Sequence, residues 1–275
     1  MAETPEVVPV PSSTLLLVRD GAAGLEVFMV ERHREIDFAP GAMVFPGGKL
    51  DEGDAAPALH AHCRGTGELD AEATALRVGA LREAFEECGV LLARPRGEEA
   101  LVPAARSLEI EKRHRKALHA GETSLLEIVE GEGLELACDL LVPFAHWITP
   151  EGSPRRYDTH FFLVAAPDDQ VAAHDGMEGV DSVWITPPDA IEAEESKSRT
   201  IVFPTLMQLR KLGGSGDVNG ALDAARGAPV VTVKPWVEPG DAGPSICIPE
   251  EAGYTPCRVP LAEAFRTSHG TRQTS

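Results

Sequence analysis

The chain is short of positive charge. Its 275 residues include 25 Lys and Arg against 44 Asp and Glu, for a formal net charge of −19. A polyphosphate backbone would be repelled by most of such a surface. The chain is therefore a poor candidate for binding DNA or RNA, or for being a DNA-binding regulator. A small substrate carrying phosphate would need its charge neutralised locally, and a metal ion is the obvious device. No run of 18 or more apolar residues occurs, so no membrane span is expected. The opening MAETPEVVPVPSS has neither the basic nor the apolar region of a secretion signal, and the closing HGTRQTS carries no peroxisomal or retention tripeptide. The five cysteines (Cys63, Cys88, Cys138, Cys247, Cys257) show no CxxC spacing. That disfavours a disulfide framework and a zinc site, and makes a reducing cytoplasm the expected compartment. His33, His60, His62, His160 and His174 show no metal spacing either.

Apolar residues are present in quantity: 43% of the chain is hydrophobic, enough for the core of one large domain or of a domain with appendages. Thr14–Val18 and Val27–Val30 flank a turn-like RDGAAG and read as an early hairpin. Met43–Phe45 reads as a short strand ending at Pro46-Gly47-Gly48, and residues 51–69 as a loop insertion. A helix is expected from Asp70, its N-cap, to Gly89, which can end it in the left-handed conformation. Residues 98–130 look mainly helical. Thr159–Ala165 and Ser182–Ile185 read as strands, Phe203–Leu212 as a helix, and residues 213–275 as a C-terminal extension with a few strands, PVVTV among them. This mixture is α/β or α+β, and not a doubly wound parallel sheet.

The segment LREAFEECGV, Leu81–Val90, concentrates acid on one helical turn. At about 100° per residue, Val78, Leu81, Phe85 and Cys88 form one stripe, and Glu83, Glu86 and Glu87 lie on the opposite side. Neighbouring like charges weaken a helix. The pattern fits a solvated acidic face. It equally fits a site for a hard cation, because clustered carboxylate oxygens suit Mg²⁺ or Mn²⁺.

Arg82, Glu83, Glu86, Glu87, Gly89 and Val90, preceded by FPGGK at 45–49, resemble the Nudix box, G-x5-E-x7-R-E-U-x-E-E-x-G-U with U bulky and aliphatic. Ala84 stands at the first U as a smaller residue. Between Gly48 and Arg82 lie 33 residues (49–81) where the pattern has 13, an insertion of 20. Counting forward from Gly48 puts the first box acid at Asp54; counting back from Arg82 puts it at Thr74, with Glu72 nearby. The interrupted box resembles the coenzyme A diphosphatase branch of the Nudix hydrolases. The likeness runs through VFPGGKLD (44–51), ALREAFEECGVLLARP (80–95) and HWITPEGSPRRYDTHFFLVAAP (146–167).

The resemblance implies an α/β/α sandwich with a mixed sheet, and a Nudix domain over residues 10–212 with insertions at about 51–70 and 96–135 and the extension 213–275 packed on it. It implies hydrolysis of a nucleoside diphosphate linked to another group, with coenzyme A or acyl-coenzyme A first. ADP-ribose, NADH or a nucleotide sugar is the alternative, and a non-catalytic nucleotide sensor the third reading. Mg²⁺ or Mn²⁺ would be held by Glu83, Glu86 and Glu87. Glu83 is a further ligand or the general base; Glu178, with Asp175 in reserve, is a second candidate base. Arg82 pairs with a carboxylate and holds the helix. Gly47 and Gly48 let the backbone approach phosphate. Arg32 and Arg156, with Arg34 and Arg155 behind them, are candidates to hold substrate phosphates. Trp147 and Tyr157 read as core in preference to adenine-stacking, and Cys88 as core. Segments 49–81 and 96–140 are candidate lids. A homodimer is the default assembly.

Overall fold

The computed structural model describes residues 7–33, 41–170, 172 and 179–264. Strand β1 (Val10–Gly21) shows why the chain forms layers. Leu15, Leu16, Leu17 and Val18 follow one another and are all buried. Successive strand side chains point to opposite faces, so a run buried throughout belongs to a sheet covered on both sides. Leu15 and Leu17 pack with Phe28, Phe85 and Ile128 on one face. Leu16 and Val18 pack with Met29, Trp147 and Leu209 on the other.

After β1 come β2 (Gly24–Arg32), β3 (Ala42–Val44), β4 (Gly47–Lys49), α1 (Pro57–His60), α2 (Ala71–Cys88), β5 (Ala93–Pro95), α3 (Ala104–His119), α4 (Leu125–Gly131) and β6 (Leu134–Leu136). The second half contains β7 (Val142–Ile148), β8 (Tyr157–Ala165), β9 (Gly179–Ile185), α5 (Pro187–Glu195), β10 (Thr200–Ile201), α6 (Phe203–Leu212), α7 (Val218–Gly227), β11 (Thr232–Val233), β12 (Trp236–Glu238), β13 (Ser245–Cys247), β14 (Arg258–Pro260) and α8 (Leu261–Ala264). The main sheet runs β10-β3-β2-β1-β8-β7-β11, with β4 paired to β1 and β9 to β2. It is mixed: β1–β8, β10–β3 and β11–β7 are parallel, and β1–β2, β1–β4 and β7–β8 are antiparallel. With helices on both faces, the fold is a mixed α/β/α sandwich. No described helix is long and apolar enough to cross a membrane.

The caps of α2 form as the sequence implies. Asp70 Oδ1 accepts the Ala73 N–H at 2.7 Å. Gly89 turns left-handed at φ 70° and its N–H bonds the Phe85 carbonyl at 3.0 Å. Residues 51–69, expected to be loop, instead contain a 3₁₀ turn at Glu52–Ala55 and helix α1. Pro57 at the first helical position starts α1 where little periodicity was available to reveal it. The insertion packs on the segment after α2: the Arg64 N–H bonds the Leu136 carbonyl at 2.9 Å, and the Leu136 N–H bonds the His62 carbonyl at 2.8 Å. The helical reading of 98–130 resolves into α3 and α4, the latter opened by a Ser124–Glu127 capping box.

The C-terminal residues enter the sandwich. β11 adds an edge to the main sheet, and Ile246, Ile248, Tyr254 and Val259 join the core shared with Trp147 and Leu209. Trp147 Nε1 donates to the Tyr254 hydroxyl at 2.9 Å, and that hydroxyl donates to Gln208 Oε1 at 2.8 Å. Trp147 is therefore a core residue.

Candidate active site

The acidic turn of α2 is not a solvated face. Glu83 and Glu86 are buried, 9% and 8% exposed, and Arg82 between them is 6% exposed. A projection of α2 alone could not show this, because β4 and the 3₁₀ turn cover the side opposite the Leu81–Phe85 stripe.

Arg82 is the hub. Its Nε donates to Asp54 Oδ1 at 3.0 Å and its Nη2 to Asp54 Oδ2 at 2.9 Å. Nη2 also reaches the Lys49 carbonyl at 2.9 Å. Nη1 donates to Glu83 Oε1 at 3.0 Å and to Glu86 Oε2 at 2.9 Å. Asp51 stands 3.8 Å away. Burial opposes the guanidinium charge, but the Asp54 bond and the charges of Glu83, Asp54 and Glu86 outweigh it, so its pKa is raised above the ordinary value. Burial raises the Glu86 pKa, with Arg82 opposing.

Asp54, 1% exposed, is the acid the inserted box brings to Arg82. The 3₁₀ turn delivers it, and its Oδ2 also accepts the Asp51 N–H at 2.9 Å. Glu72, the other candidate, lies exposed on the first turn of α2. The glycine turn completes the arrangement. The Gly47 N–H donates to Glu87 Oε2 at 2.9 Å. A Cβ on Gly48 would fall 2.3 Å from Glu83 Oε1, and one on Gly47 would fall 2.5 Å from the Ser13 carbonyl. Both positions require glycine so that strand and carboxylates can approach.

The other candidates are dispersed. Arg32 ends β2, and its buried Nε has no hydrogen-bond partner among the described residues. Arg156 is 3% exposed and donates to the Thr149 and Val7 carbonyls at 3.1 and 2.9 Å. The guanidinium is thus engaged at the turn between β7 and β8. Arg155 is exposed and Tyr157 half-buried. Cys88 is fully buried in the core. Arg34, Asp175 and Glu178 lie outside the described residues.

One grouping went unnoticed in the sequence. Among the described residues, His146, Asp158 and His160 alone form a set of three metal-type donors whose ligand atoms all lie within 4.8 Å of one another. Glu83 and Glu86 are tied to Arg82, and Glu87 to Gly47. The two histidines are 14 positions apart in sequence, and only the β7–β8 register makes them opposite neighbours.

A glycine turn, an arginine and a row of carboxylates at one end of an α/β/α sandwich define a class. Residues 56–212 match the NUDT19 Nudix domain, and the chain belongs to the Nudix hydrolase family. The acyl-coenzyme A diphosphatase NUDT19 of Gallus gallus is 27% identical over 245 residues, covering 72% of this chain and 64% of that protein. The Homo sapiens protein of the same name is 27% identical over 257 residues, covering 78% and 68%. A Caenorhabditis elegans relative named as nudix hydrolase 7 is 29% identical over 187 residues, covering 68% of this chain and 55% of its own. The chain thus spans between about half and two thirds of the length of these relatives. Among solved structures, a NUDIX hydrolase from Alicyclobacillus acidocaldarius superposes with a TM-score of 0.64 at 27% identity, covering 79% of this chain and 96% of that one.

Proposed function

We propose that this chain is a Mg²⁺- or Mn²⁺-dependent diphosphatase that cleaves a nucleoside diphosphate linked to another group, coenzyme A or an acyl-coenzyme A first among them. The observation that carries the reading is the cluster of carboxylates at Arg82: Asp51, Asp54, Glu83 and Glu86 stand within 4.0 Å of one guanidinium. Two of the three proposed ligands are buried, and Glu87 is anchored beside them by Gly47. Carboxylate oxygens gathered in a sheltered site suit a further cation. The donors are all hard oxygens, which suit Mg²⁺ or Mn²⁺. The residues present therefore fit the ion.

Glu83, Glu86 and Glu87 would hold the metal. When bound, it would screen the diphosphate and lower the pKa of the attacking water. Arg82, gripped along its Nε–Nη2 edge by Asp54, keeps Glu83 and Glu86 side by side through Nη1. The Gly47 N–H fixes the rotamer of Glu87, and the bare Gly48 backbone lets Glu83 lie against β4. Glu83 or Glu178 would take the proton from water. Arg32, with its unsatisfied Nε, is the candidate contact for the substrate's phosphates. The substrate class rests on the names of the NUDT19 relatives.

The experiment is product analysis by mass after incubation with Mg²⁺ or Mn²⁺ and coenzyme A, acetyl-coenzyme A, ADP-ribose, NADH or UDP-glucose. Release of 3′,5′-ADP and 4′-phosphopantetheine is the expected result. Cleavage of ADP-ribose or UDP-glucose alone would retain the chemistry and overturn the coenzyme A assignment. No turnover of any of them would overturn the enzyme reading in favour of a sensor.

A further inference from the structure

We propose that His146, Asp158 and His160 form a second metal site, distinct from the carboxylates of α2, for a borderline divalent transition ion of the Zn²⁺ class. His146 and His160 face each other across the antiparallel β7–β8 pair, and Asp158 lies two residues before His160, on the same face of β8. The imidazoles stack with centroids 4.0 Å apart at 21°. Asp158 Oδ1 stands 2.5 Å from His146 Nε2 and 3.8 Å from His160 Nε2. The side chains are 16%, 34% and 33% exposed in the order His146, Asp158, His160, so the pocket is sheltered yet reachable from solvent.

His146 Nδ1 lies 2.8 Å from Thr232 Oγ1, supplied by β11, which pairs with β7 at that residue. A ligating imidazole characteristically donates its other N–H to an oxygen, which fixes the tautomer. With Nδ1 engaged by Thr232, Nε2 faces the Asp158 carboxylate oxygen at 2.5 Å, so a ligand nitrogen and a ligand oxygen are held side by side. Two imidazoles and one carboxylate are the ligand set of open zinc sites, with a fourth position left to water, and the nitrogens disfavour Mg²⁺.

The site is separate from the Nudix carboxylates. His160 pairs with Ser13, and Ser13 with Gly48, so two strand spacings, on the order of 10 Å, lie between His160 and the glycine turn. Through Thr232 the ion would tie the C-terminal segment to β7 and β8.

The test is metal binding by the untagged full chain in saturating Mg²⁺. Co²⁺ is the probe, followed by its visible absorption and by equilibrium dialysis, with Zn²⁺ as competitor. One tightly held Co²⁺ per chain, displaced by Zn²⁺ and retained in Glu86→Gln, is expected. His160→Gln and Asp158→Asn should each weaken it by about tenfold or more. In the wild type, Zn²⁺ should raise Tm in the presence of Mg²⁺, a readout that does not depend on any variant folding. Binding lost in Glu86→Gln but unchanged in both His160→Gln and Asp158→Asn would overturn the proposal. So would no binding above Mg²⁺ competition, which would leave the short contact a His146–Asp158 hydrogen bond.

Discussion

Each of the residues around Arg82 has a replaceable part. Asp54→Asn keeps the shape and removes the charge that the Nε and Nη2 donors of the guanidinium grip. Breaking one partner of a buried pair costs about 3–5 kcal/mol. Asp54→Asn should therefore lower denaturant-midpoint stability by that order and depress turnover. Asp54→Glu, which restores the charge with an extra methylene in a 1%-exposed site, should recover part of the stability. Gly48→Ala tests close approach. Its Cβ would displace the Glu83 carboxylate, the end of a flexible side chain, so kcat should fall by about tenfold or more while Tm changes little. If kcat held and Tm collapsed, Gly48 would be a folding requirement only. The identities of Arg82, Glu83, Glu86 and Glu87 were legible because their spacing lies on one helix. The choice between Asp54 and Glu72 was not. It depends on how the 33 residues between Gly48 and Arg82 fold back, and a spacing rule cannot express that.

Local signals located the elements that begin and end on their own chemistry. Helix α2 has an Asp cap and a Gly stop, and β1 and β2 are apolar runs around a turn. The short pieces that owe their shape to distant partners escaped: the 3₁₀ turn carrying Asp54, the β7–β8 register that joins His146 to His160, and the seat of Tyr254. The Tyr254 seat gives a pH prediction. Burial pushes its pKa up to about 12, with the bonds to Trp147 and Gln208 opposing. The folded state therefore holds a proton that the unfolded chain releases near pH 10. Its contribution is full below pH 10 and is lost as pH rises from 10 to 12, by an amount on the order of 2–3 kcal/mol. Chemical denaturation across pH 9–12 should show this loss in the wild type. In Tyr254→Phe the drop over that window should be smaller, at a constant cost at neutral pH of about 1–3 kcal/mol for orphaning Gln208.

Across the whole molecule, the acidic surface and the sandwich have separate origins. A net charge of −19 excludes a broad basic surface, and the sandwich follows from β1 being buried on both faces. The described part of the C-terminal extension, residues 213–264, is part of that structure. Val233, Ile246, Ile248, Tyr254 and Val259 are core residues, and β11 is a strand of the main sheet. Removing residues 213–275 should therefore expose the face around Trp147 and Leu209 and yield aggregated or molten protein, read by near-UV circular dichroism and size exclusion. A monodisperse, cooperatively melting 1–212 fragment would mean that the extension is an ornament. The Nudix family match covers residues 56–212, while the substrate proposal rests on relatives of which the chain spans only part.

The central claim is that the buried carboxylates around Arg82 are the hydrolytic centre. The most direct measurement is the initial rate of diphosphate cleavage in Mg²⁺ for wild type, Glu86→Gln and Glu72→Gln. Glu72 is an exposed acid on the first turn of the same helix. The account predicts a loss of about a hundredfold in Glu86→Gln, the scale for removing one group that stabilises transition-state charge, and a rate within about twofold of wild type in Glu72→Gln. An active Glu86→Gln, or a loss of rate confined to Glu72→Gln, would contradict it.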